Sequence, residues 1–309
     1  GAMIAPSVSE LRGRAPATSA NLGPGFDSFA LALPMLAEFE VRPARTWSVE
    51  YEGDGDGLPQ DANEDLFVVA ARAVARAAKE HLAPQHVVQR SAIPLGRGLG
   101  SSAAAIAAGV TAGNALLGEP LDRRTLLRLA AEVEGHPDNV AAALYGGMTV
   151  ALPTAEGPVV FRSAFPRTWR ICLLVPKRKL ATKEARAALP ANVSRADAVF
   201  NLAHAAAFVA AILRADGALL SIAMRDRLHE PARARLVPGL DDIVGAARSA
   251  GAFGAALSGA GPAVIAVAPA RLAPRVVAAM EEAAEDAGAP GRARVLRVRA
   301  AGAQVRVSP

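Results

Sequence analysis

A glycine-rich turn followed at once by a run of small residues, between Pro94 and Leu117, constrains this chain more than any other part of its sequence. Glycines let backbone N–H groups approach a ligand without an intervening side chain. The run after them is alanine-rich and apolar all round, which predicts a mostly buried helix over Ser101–Leu117. The start of such a helix attracts anions. We therefore predict a phosphate-binding loop made of Pro94, Leu95, Gly96, Arg97, Gly98, Leu99, Gly100, Ser101, Ser102, Ala103 and Ala104.

The predicted helix begins at Ser101 and Ser102. A serine there can cap the helix, and its hydroxyl can ligate Mg²⁺ beside a phosphate. The segment lacks the Gly-Lys-Ser/Thr ending of the Walker pattern, and its glycine spacing differs from that of a dinucleotide-binding fingerprint. The alternative is a glycine turn with a serine helix cap and no ligand. The full string Pro-Leu-Gly-Arg-Gly-Leu-Gly-Ser-Ser-Ala-Ala is far more specific than such a turn requires.

The rest of the chain mixes the periodicities of strands and helices. Strand patterns occupy Arg42–Tyr51, Val87–Ile93, Ile171–Val175, Ala263–Ala268 and Arg294–Arg299. Helical patterns occupy Leu66–Leu82, Leu126–Val133, Ala198–Leu213 and Pro274–Ala287. The two kinds alternate without a regular βαβ repeat, so the pattern predicts the α+β class. Prolines and glycine between residues 153 and 168 indicate either a domain boundary or a surface hairpin within one domain.

The composition favours a globular enzyme over a nucleic-acid-binding or membrane protein. Hydrophobic residues make up 52% of the chain, yet the sequence shows no uninterrupted apolar stretch of the roughly 20 residues that a membrane helix needs. The net charge of +5 arises from scattered arginines with acidic residues among them, and aromatic residues are only 4%, too few for a base-stacking surface. Cys172 is the only cysteine, and the chain start lacks the apolar core of a secretory signal. We therefore expect a cytoplasmic protein.

Two further glycine-rich segments lie far from the first. Pro16–Asp27 reads Pro-Ala-Thr-Ser-Ala-Asn-Leu-Gly-Pro-Gly-Phe-Asp, and Leu257–Pro262 reads Leu-Ser-Gly-Ala-Gly-Pro. With Pro94–Ala104 between them, these segments resemble motifs 1, 2 and 3 of the GHMP kinases, which are named for galactokinase, homoserine kinase, mevalonate kinase and phosphomevalonate kinase. The resemblance covers nearly the whole chain, from Pro16 to Pro262.

The resemblance implies the GHMP kinase fold of the α+β class. In that fold an N-terminal domain similar to domain 2 of ribosomal protein S5 precedes a ferredoxin-like α/β C-terminal domain. We expect the two domains to cover residues 4–160 and 161–309. The resemblance also implies ATP and Mg²⁺ as cofactors. Many members of the family are dimers, so it allows a homodimer.

Three other segments are similar to the homoserine kinase branch of the family. They are Glu134–Asn139 (Glu-Gly-His-Pro-Asp-Asn), Thr182–Arg186 and His229–Arg233. The resemblance implies transfer of the γ-phosphoryl group of ATP to the hydroxyl of L-homoserine, in threonine biosynthesis. The alternatives are a GHMP kinase acting on L-threonine or an isoprenoid-pathway alcohol, and a member of the fold that binds a ligand without catalysis.

Homoserine carries a carboxylate and an ammonium group, so its site needs both signs of charge. Arg186 and Arg233 are expected to bind the carboxylate, because guanidinium groups bind carboxylates bidentately. Arg235 is close enough in sequence to replace Arg233. Asn21 and Asp27 are expected to hold the ammonium group or to orient the substrate.

The resemblance adds residues around the reacting hydroxyl and the nucleotide. Asn139 is expected to orient the hydroxyl, because an amide cannot act as a base. Asp138 is either a catalytic base or the cap of a helix. The remaining expected contacts are His136, Ser258 and Gly259 for the substrate and Asn63 near the adenine. For Asn63 the alternative is an Asx turn.

A magnesium ion in such a kinase needs hard oxygen ligands. Ser101 is expected to supply one and to act beside Asn139 and Asp138 in catalysis. The second is expected from a glutamate just before the His-Pro-Asp-Asn string, where alignment favours Glu132 over Glu134. Either glutamate could instead pair with a nearby arginine.

Overall fold

The computed structural model describes residues 10–53 and 58–308, and these contain two sheets surrounded by helices. The strands are β1 (Glu10–Asn21), β2 (Gly25–Pro43), β3 (Ser48–Glu52), β4 (Gln85–Ser91), β5 (Met148–Leu152), β6 (Val159–Ser163), β7 (Trp169–Pro176), β8 (Gly254–Leu257), β9 (Val264–Pro269), β10 (Gly291–Leu296) and β11 (Gln304–Ser308). The helices are α1 (Leu66–Ala78), α2 (Ser101–Leu116), α3 (Arg123–Glu134), α4 (Asp138–Tyr145), α5 (Thr182–Ala187), α6 (Arg195–Arg214), α7 (Gly217–Ala223), α8 (Glu230–Arg233), α9 (Leu240–Ser249) and α10 (Ala273–Asp286).

The first sheet has seven strands and is built on the long β1–β2 hairpin. Its order is β11-β1-β2-β4-β3, with the β5–β6 hairpin attached to β2. All its pairings are antiparallel except that of β3 with β4. At the turn of the β1–β2 hairpin, Asn21 and Leu22 adopt left-handed φ angles of 69° and 52°. This strained turn is part of motif 1 and faces the glycine-rich loop after β4.

Helix α2 lies buried beneath the glycine-rich loop, as its all-round apolar composition predicts. It packs against α1 at two glycines that allow the helix backbones to approach closely. A Cβ atom at Gly109 would come within 2.3 Å of the Phe67 carbonyl oxygen, and one at Gly113 within 2.9 Å of Ala71. The close packing fixes the direction in which the first turn of α2 points.

The second sheet has four antiparallel strands in the order β10-β7-β9-β8. Its side chains alternate between two cores, as the period of a strand requires. Ile171 and Leu173 of β7 join the large core that also contains the first sheet and α2. Cys172 and Leu174 face a smaller core beneath α9 and α10. The larger core therefore runs through both sheets without a break.

The segment around residue 155 is a hairpin, which is one of the two alternatives that its prolines and glycine indicate. Residues 153–158 turn between β5 and β6, and β6 pairs with β5 in the first sheet. The expected division at residues 160 and 161 falls inside β6, and β11 returns from the end of the chain to pair with β1. The division into 4–160 and 161–309 stays a prediction, and residues 4–9 and 309 lie outside the described residues.

Helix α6 is long and apolar enough to cross a membrane by length and composition, with a mean hydropathy of 1.7 over its best window. This finding corrects the expectation that no stretch of the chain approaches that length. Only 22% of the window is buried, but Asn201, Phe208 and Ile212 of this helix are buried within the protein. One side of α6 is thus part of the globular core.

Candidate active site

A cleft of about 370 Å³ lies between the first sheet on one side and α5, α8 and the loop after β8 on the other, and the glycine-rich loop lines it. Most of the residues selected from the sequence line it. They are Asn21, Asp27, Pro94, Leu95, Gly96, Arg97, Gly98, Leu99, Gly100, Ser101, Ser102, His136, Asp138, Asn139, Arg186, Arg233 and Gly259. Ala103 and Ala104 are buried in α2 behind the loop, and Ser258, Glu132 and Asn63 do not line the cleft.

The loop from Gly96 to Gly100 is shaped by three glycines with positive φ angles, 64°, 72° and 64° at Gly96, Gly98 and Gly100. Packing also demands glycine at two of them. A Cβ at Gly98 would lie 2.2 Å from the Ser258 carbonyl oxygen, and one at Gly100 would lie 1.9 Å from the Thr18 hydroxyl oxygen. The glycines therefore leave room for motifs 1 and 3 to pack against the loop. They also leave the backbone of the loop uncovered by side chains.

The carbonyl oxygens of the loop are used by the protein, whereas its N–H groups are free. Leu180 donates to the Gly96 carbonyl, Ala263 to that of Arg97 and Thr18 to that of Leu99. Among the described residues, the backbone N–H groups of Arg97–Ser102 have no acceptor. The start of α2 thus presents a row of unpaired donors to the cleft, which is the arrangement that binds phosphate groups.

The two loop serines do not cap α2, contrary to expectation. Gly100 occupies the cap position and Ser101 is already the first helical residue. The Ser102 hydroxyl instead donates to Glu134 Oε1 at 2.7 Å. The guanidinium of Arg97 donates to the carbonyl oxygens of Leu95 and Pro176 at 2.8 Å each, and thereby fastens the loop to the end of β7.

Glu134, and not Glu132, is the glutamate that faces the cleft. Glu132 is exposed on the outer side of α3, where its Oε1 accepts from Arg128 at 2.6 Å. Glu134 lines the cleft beside Ser101 and Ser102. Burial raises the pKa of the Glu134 carboxyl, so a cation bound beside it would favour its ionised form. The structure therefore does not support Glu132 as a magnesium ligand, because α3 turns it away from the phosphate loop.

The His-Pro-Asp-Asn string forms the start of α4 and brings three polar side chains to the cleft. His136 Nδ1 lies 2.7 Å from Asp138 Oδ1, which also accepts from the Asn139 backbone N–H at 2.7 Å. The Thr18 hydroxyl donates to Asn139 Oδ1 at 2.7 Å. The Asn139 Oδ1 atom is thereby engaged, and the amide NH₂ group is the part of this side chain that can reach a ligand.

Asp27 and Arg186 form a bidentate ion pair in the cleft. The two guanidinium nitrogens donate to the two carboxylate oxygens at 3.1 and 2.6 Å. Asn21 sets the position of Asp27, because its Oδ1 accepts from the Asp27 backbone N–H at 3.0 Å while its Nδ2 donates to the Gly259 carbonyl at 2.9 Å. Asn21 therefore links motifs 1 and 3 by hydrogen bonds. This role is not predicted from the sequence.

Arg233 is the second cation of the cleft and is almost fully buried, with 1% of its surface exposed. It donates to the Gly259 carbonyl at 3.2 Å, and its NH1 lies 3.3 Å from His229 Nδ1. The His229 Nε2 atom lies 2.9 Å from the Gly23 carbonyl, which assigns the proton to Nε2 and leaves Nδ1 as the acceptor. Arg235 is exposed and does not line the cleft, so Arg233 and not Arg235 is the candidate for the carboxylate clamp.

Ser258 and Asn63 have other contacts than those expected. Ser258 is fully buried, lies 2.8 Å from the Ser19 hydroxyl oxygen and donates to the Gly98 carbonyl at 2.8 Å. It joins motif 3 to the phosphate loop. Asn63 is exposed and accepts from Arg72 at 2.7 Å, and its backbone N–H donates to the Asp61 carboxylate as an Asx turn would have it.

The far end of the cleft is formed by residues that the sequence did not single out. Asp65 Oδ2 accepts from the Tyr51 hydroxyl at 2.6 Å and from Gln89 Nε2 at 3.1 Å. Leu58 and Pro59 line the same end. No motif marks these residues, which come from β3, β4, the start of α1 and the segment before α1, so only the fold brings them together.

Comparison with known proteins places this architecture in one family. Residues 65–147 match the model of the GHMP kinases N terminal domain, and residues 208–286 match that of the GHMP kinases C terminal. Over 82% of this chain and 82% of the relative, it is 47% identical to homoserine kinase from Deinococcus radiodurans. Homoserine kinase from Desulfitobacterium hafniense is 39% identical and covers 96% of this chain and 99% of the relative.

A solved structure agrees with these relatives. The crystal structure of homoserine kinase from Cytophaga hutchinsonii superposes with a TM-score of 0.88 and 31% identity, over 96% of this chain and 98% of that one. The predicted α+β fold with N- and C-terminal GHMP kinase domains is thus confirmed. This chain belongs to the GHMP kinase family.

Proposed function

We propose that this chain is a homoserine kinase, which transfers the γ-phosphoryl group of ATP to the hydroxyl of L-homoserine and releases O-phospho-L-homoserine and ADP. The proposal rests on one observation. The same cleft contains both the unpaired N–H groups at the start of α2 and the charged side chains of Asp27, Arg186 and Arg233. The first group of donors suits a polyphosphate, and the second suits an amino-acid zwitterion. The similarity to homoserine kinases agrees with both.

The Asp27–Arg186 pair gives the site its selectivity for a zwitterion. Its two charges already satisfy each other in the protein alone. A ligand that brings an ammonium group to Asp27 and a carboxylate to Arg186 replaces this pair without leaving either charge unpaired. Arg233 completes the carboxylate clamp, since both guanidinium groups lie near the Phe26 ring, with their Cζ atoms 5.8 and 5.4 Å from its centroid. A neutral alcohol offers no such exchange.

Asn139 orients the substrate hydroxyl in this proposal. Its Oδ1 is held by Thr18, so its NH₂ group points the hydroxyl oxygen of homoserine toward the phosphate loop. Asp138 is the nearest carboxylate to Asn139 and is hydrogen-bonded to His136. It either receives the hydroxyl proton or keeps His136 in place. Phosphoryl transfer depends mainly on positioning and electrostatic stabilisation, so an orienting amide is sufficient.

The nucleotide is expected to lie along the cleft, with its phosphates on the N–H groups of Arg97–Ser102 and its base at the Tyr51 end. For Mg²⁺ we propose Ser101, Ser102 and Glu134 as the oxygen donors. These residues offer the oxygen ligands that a hard cation prefers, because the Ser102 hydroxyl lies 2.7 Å from Glu134 Oε1 and Ser101 lines the same cleft at the start of α2. The ion, when bound, would neutralise charge on the phosphate oxygens. The proposed reaction consumes ATP, which agrees with a cytoplasmic enzyme.

A second candidate acceptor is L-threonine, because the Asp27–Arg186–Arg233 set recognises the head group that both amino acids share. Initial rates of ADP release with ATP and Mg²⁺ separate the candidates. The acceptors to compare are homoserine, threonine, mevalonate, galactose, and two homoserine analogues, aminopropanol without the carboxylate and gamma-hydroxybutyrate without the ammonium group. Homoserine should have the highest kcat/KM, and loss of either charged group should lower it by about 10²-fold. Faster turnover of mevalonate or galactose would overturn the proposal, and tight homoserine binding without any turnover would make the chain a binding protein.

The carboxylate clamp is tested by one arginine inside the cleft and one outside it. Arg186→Ala should raise the KM for homoserine about 10²-fold with a much smaller change in kcat, since it removes binding to the carboxylate. Arg235→Ala is the matched control, because Arg235 is exposed and donates to the Ala188 carbonyl away from the cleft. An unchanged KM in the Arg186 variant would remove that residue from the clamp.

A further inference from the structure

His229 is a fully buried histidine that lies next to Arg233 without lining the cleft itself. Its ring stacks on that of Phe26, with centroids 5.2 Å apart and planes inclined by 22°. Burial lowers the pKa of His229, because a charged imidazolium would lose its hydration there. The ring is therefore neutral in the folded protein and has one N–H donor and one acceptor nitrogen.

The hydrogen bonds of the His229 ring fix which nitrogen carries the proton. A guanidinium group can only donate, so Nδ1, at 3.3 Å from Arg233 NH1, is the acceptor. The proton is then on Nε2, which donates to the Gly23 carbonyl oxygen at 2.9 Å. Asp226 Oδ2 lies 3.7 Å from Nε2, too far for a hydrogen bond. His229 thus connects the turn of motif 1 to Arg233 through one donor and one acceptor.

A count of donors shows which part of Arg233 is left for a ligand. A guanidinium group has five N–H donors. Nε donates to the Ala185 carbonyl oxygen at 3.3 Å, and NH1 donates to the Gly259 carbonyl oxygen at 3.2 Å and to His229 Nδ1 at 3.3 Å. In the part of the chain that the structure describes, NH2 makes no hydrogen bond. Since Arg233 lines the cleft, the two N–H groups of NH2 are the donors that it can offer to a carboxylate.

The position of His229 is in turn fixed by the buried carboxylate of Asp226. Its Oδ2 accepts from the backbone N–H groups of His229 and Glu230 at 2.7 and 2.8 Å. Its Oδ1 accepts from Asn201 Nδ2 at 2.7 Å. Asn201 belongs to α6, which is anchored in the large core through Phe208. The residue before the short helix α8 is therefore tied to the body of the protein, and its ring can hold a guanidinium group in place.

From these observations we propose that His229 is a positioning residue of the carboxylate clamp, a role that rests on the proposed homoserine kinase function. Its Nδ1, with the carbonyl oxygens of Ala185 and Gly259, holds three N–H groups of Arg233, so that NH2 is presented to the carboxylate of homoserine. Without the Nδ1 acceptor, one buried N–H group of Arg233 has no partner, and the guanidinium group turns away from the substrate to find one. The alternative is a histidine that only fills the core.

Two substitutions separate the two nitrogens of the ring. The side-chain oxygen of asparagine can take the place of Nδ1, whereas the amide nitrogen of glutamine can take the place of Nε2. His229→Asn therefore keeps an acceptor for Arg233, and His229→Gln keeps only the donor to Gly23. We expect His229→Gln to raise the KM for homoserine about tenfold, with kcat and the KM for ATP changed by less than about twofold. His229→Asn should stay within about threefold of the wild-type KM for homoserine.

A histidine away from the cleft provides the matched control. His204 lies on α6, with its Nδ1 2.8 Å from the Phe200 carbonyl oxygen, and does not line the cleft. His204→Gln should have wild-type kinetics. An unchanged KM for homoserine in His229→Gln, or an equal rise in both His229 variants, would overturn the proposal. A wild type that does not phosphorylate homoserine would overturn the proposed function and this role with it.

Aminopropanol, which lacks the carboxylate of homoserine, separates a positioning role from a structural one. If His229 acts through Arg233, His229→Gln should lower kcat/KM for homoserine about tenfold but leave that for aminopropanol within about twofold of the wild type. In an Arg233→Ala background, His229→Gln should lower kcat/KM for homoserine by less than about twofold, because the group that it positions is absent. Equal losses with both acceptors, or additive losses in the double variant, would make His229 a structural residue.

The wild type alone tests the position of the proton, should either His229 variant be too unstable to assay. Nitrogen-15 NMR of histidine-labelled protein distinguishes a ring nitrogen that carries a proton from one that accepts a hydrogen bond. His229 is the one fully buried histidine of the five, all of which the structure describes, so slow exchange with solvent identifies its ring proton. We expect a neutral ring with its proton on Nε2 at neutral pH. A proton on Nδ1, or on both nitrogens, would prevent acceptance from Arg233 and overturn the proposal.

Discussion

The two glutamates at the end of α3 show how helical position decides which side chain reaches the cleft. The buried residues of α3 include Leu127 and Ala130, and Glu134 follows them at helical spacing, seven and four residues later. Glu132 lies on the opposite side of the same helix and pairs with Arg128. The amphipathic pattern of α3 therefore already favoured Glu134, while alignment to the family motif favoured Glu132. Periodicity was the better guide because it follows the direction of the side chain.

Replacing Glu134 with glutamine tests its role toward Mg²⁺. Glu134→Gln should lower kcat/KM by roughly 10²-fold or more and raise the Mg²⁺ concentration needed for half-maximal rate, because metal affinity depends strongly on its carboxylate neighbours. Glu132→Gln is the matched control on the same helix and should behave like the wild type. The reverse result would return the metal site to Glu132, and a wild-type Mg²⁺ dependence in both variants would remove α3 from the metal site.

The pH dependence of the same carboxyl gives an independent check. Burial raises the pKa of Glu134, so its ionised form prevails only above a pH higher than is usual for glutamate. At limiting Mg²⁺ the rate should therefore fall on the acid side at a pH above the usual glutamate range. More Mg²⁺ should move this fall to lower pH, because the cation competes with the proton. A fall that does not respond to Mg²⁺ would contradict the role.

At the scale of elements, the sequence predicted those helices and strands whose pattern is set by burial. Helix α2 and strands β7 and β9 lie where their apolar patterns placed them. The predicted strand Arg42–Tyr51 is wrong as a single element, because residues 44–47 form a bend between β2 and β3. A pattern of buried positions does not reveal such a bend, because the residues before and after it both keep the pattern of a strand. No prediction was made for most of β2, where Ala30–Leu33 is buried on both faces and shows no alternation.

Helix α8 is too short to be stable by itself, and buried polar contacts hold it. Asp226 Oδ2 accepts from the backbone N–H groups of Leu228, His229 and Glu230 at 3.0, 2.7 and 2.8 Å. Glu230 in turn accepts from the Leu257 N–H at 2.6 Å. No site role is predicted for His229 from the sequence, yet its Nδ1 lies 3.3 Å from Arg233 NH1. These contacts could not be foreseen, because they join elements that are remote along the chain.

Glu230 makes the stability of the protein depend on pH. Burial raises the pKa of its carboxyl to about 8. The folded protein therefore holds a proton that the unfolded chain releases near the ordinary glutamate pKa, so stability present at acid pH is lost as the pH rises toward 8. Glu230→Gln keeps an acceptor for Leu257 without a titratable proton.

Denaturant unfolding at pH 6 and pH 9 measures the effect. Relative to the wild type, Glu230→Gln should gain free energy of unfolding between these two pH values, on the order of 2–4 kcal/mol. Glu282→Gln, at an exposed position of α10, is the control and should follow the wild type. Equal slopes in all three proteins would show that Glu230 is ionised in the folded state.

At the scale of the whole molecule, the two halves of the chain share one large core and the chain end returns to the first sheet, which motif spacing does not reveal. The large core contains residues of β1 and α2 together with residues of β7 and β9. Strand β11 closes the first sheet after the chain has completed the second. The three motifs predicted the family and the position of the phosphate loop, because their residues meet at that loop. They carried no information on this return of the chain, since β11 lies beyond the last motif.

The shared core leads us to expect one cooperative unfolding transition, although the fold has two family domains. The two tryptophans lie in different halves, Trp47 beside β3 and Trp169 in β7, and both pack against the large core. Trp47→Phe leaves fluorescence from the second sheet only, and Trp169→Phe leaves it from the first. Each variant should give a denaturant midpoint by fluorescence that coincides with its own midpoint by circular dichroism, as two-state unfolding requires. If the core at the sheet boundary were weak, the Trp169 signal would change at a different denaturant concentration from the secondary structure, and the two sheets would be independent units.

Addition of homoserine with ATP and Mg²⁺ should shift the denaturant midpoints of both tryptophan signals together. The reason is that residues from both halves line the cleft and ligand binding stabilises only the folded whole.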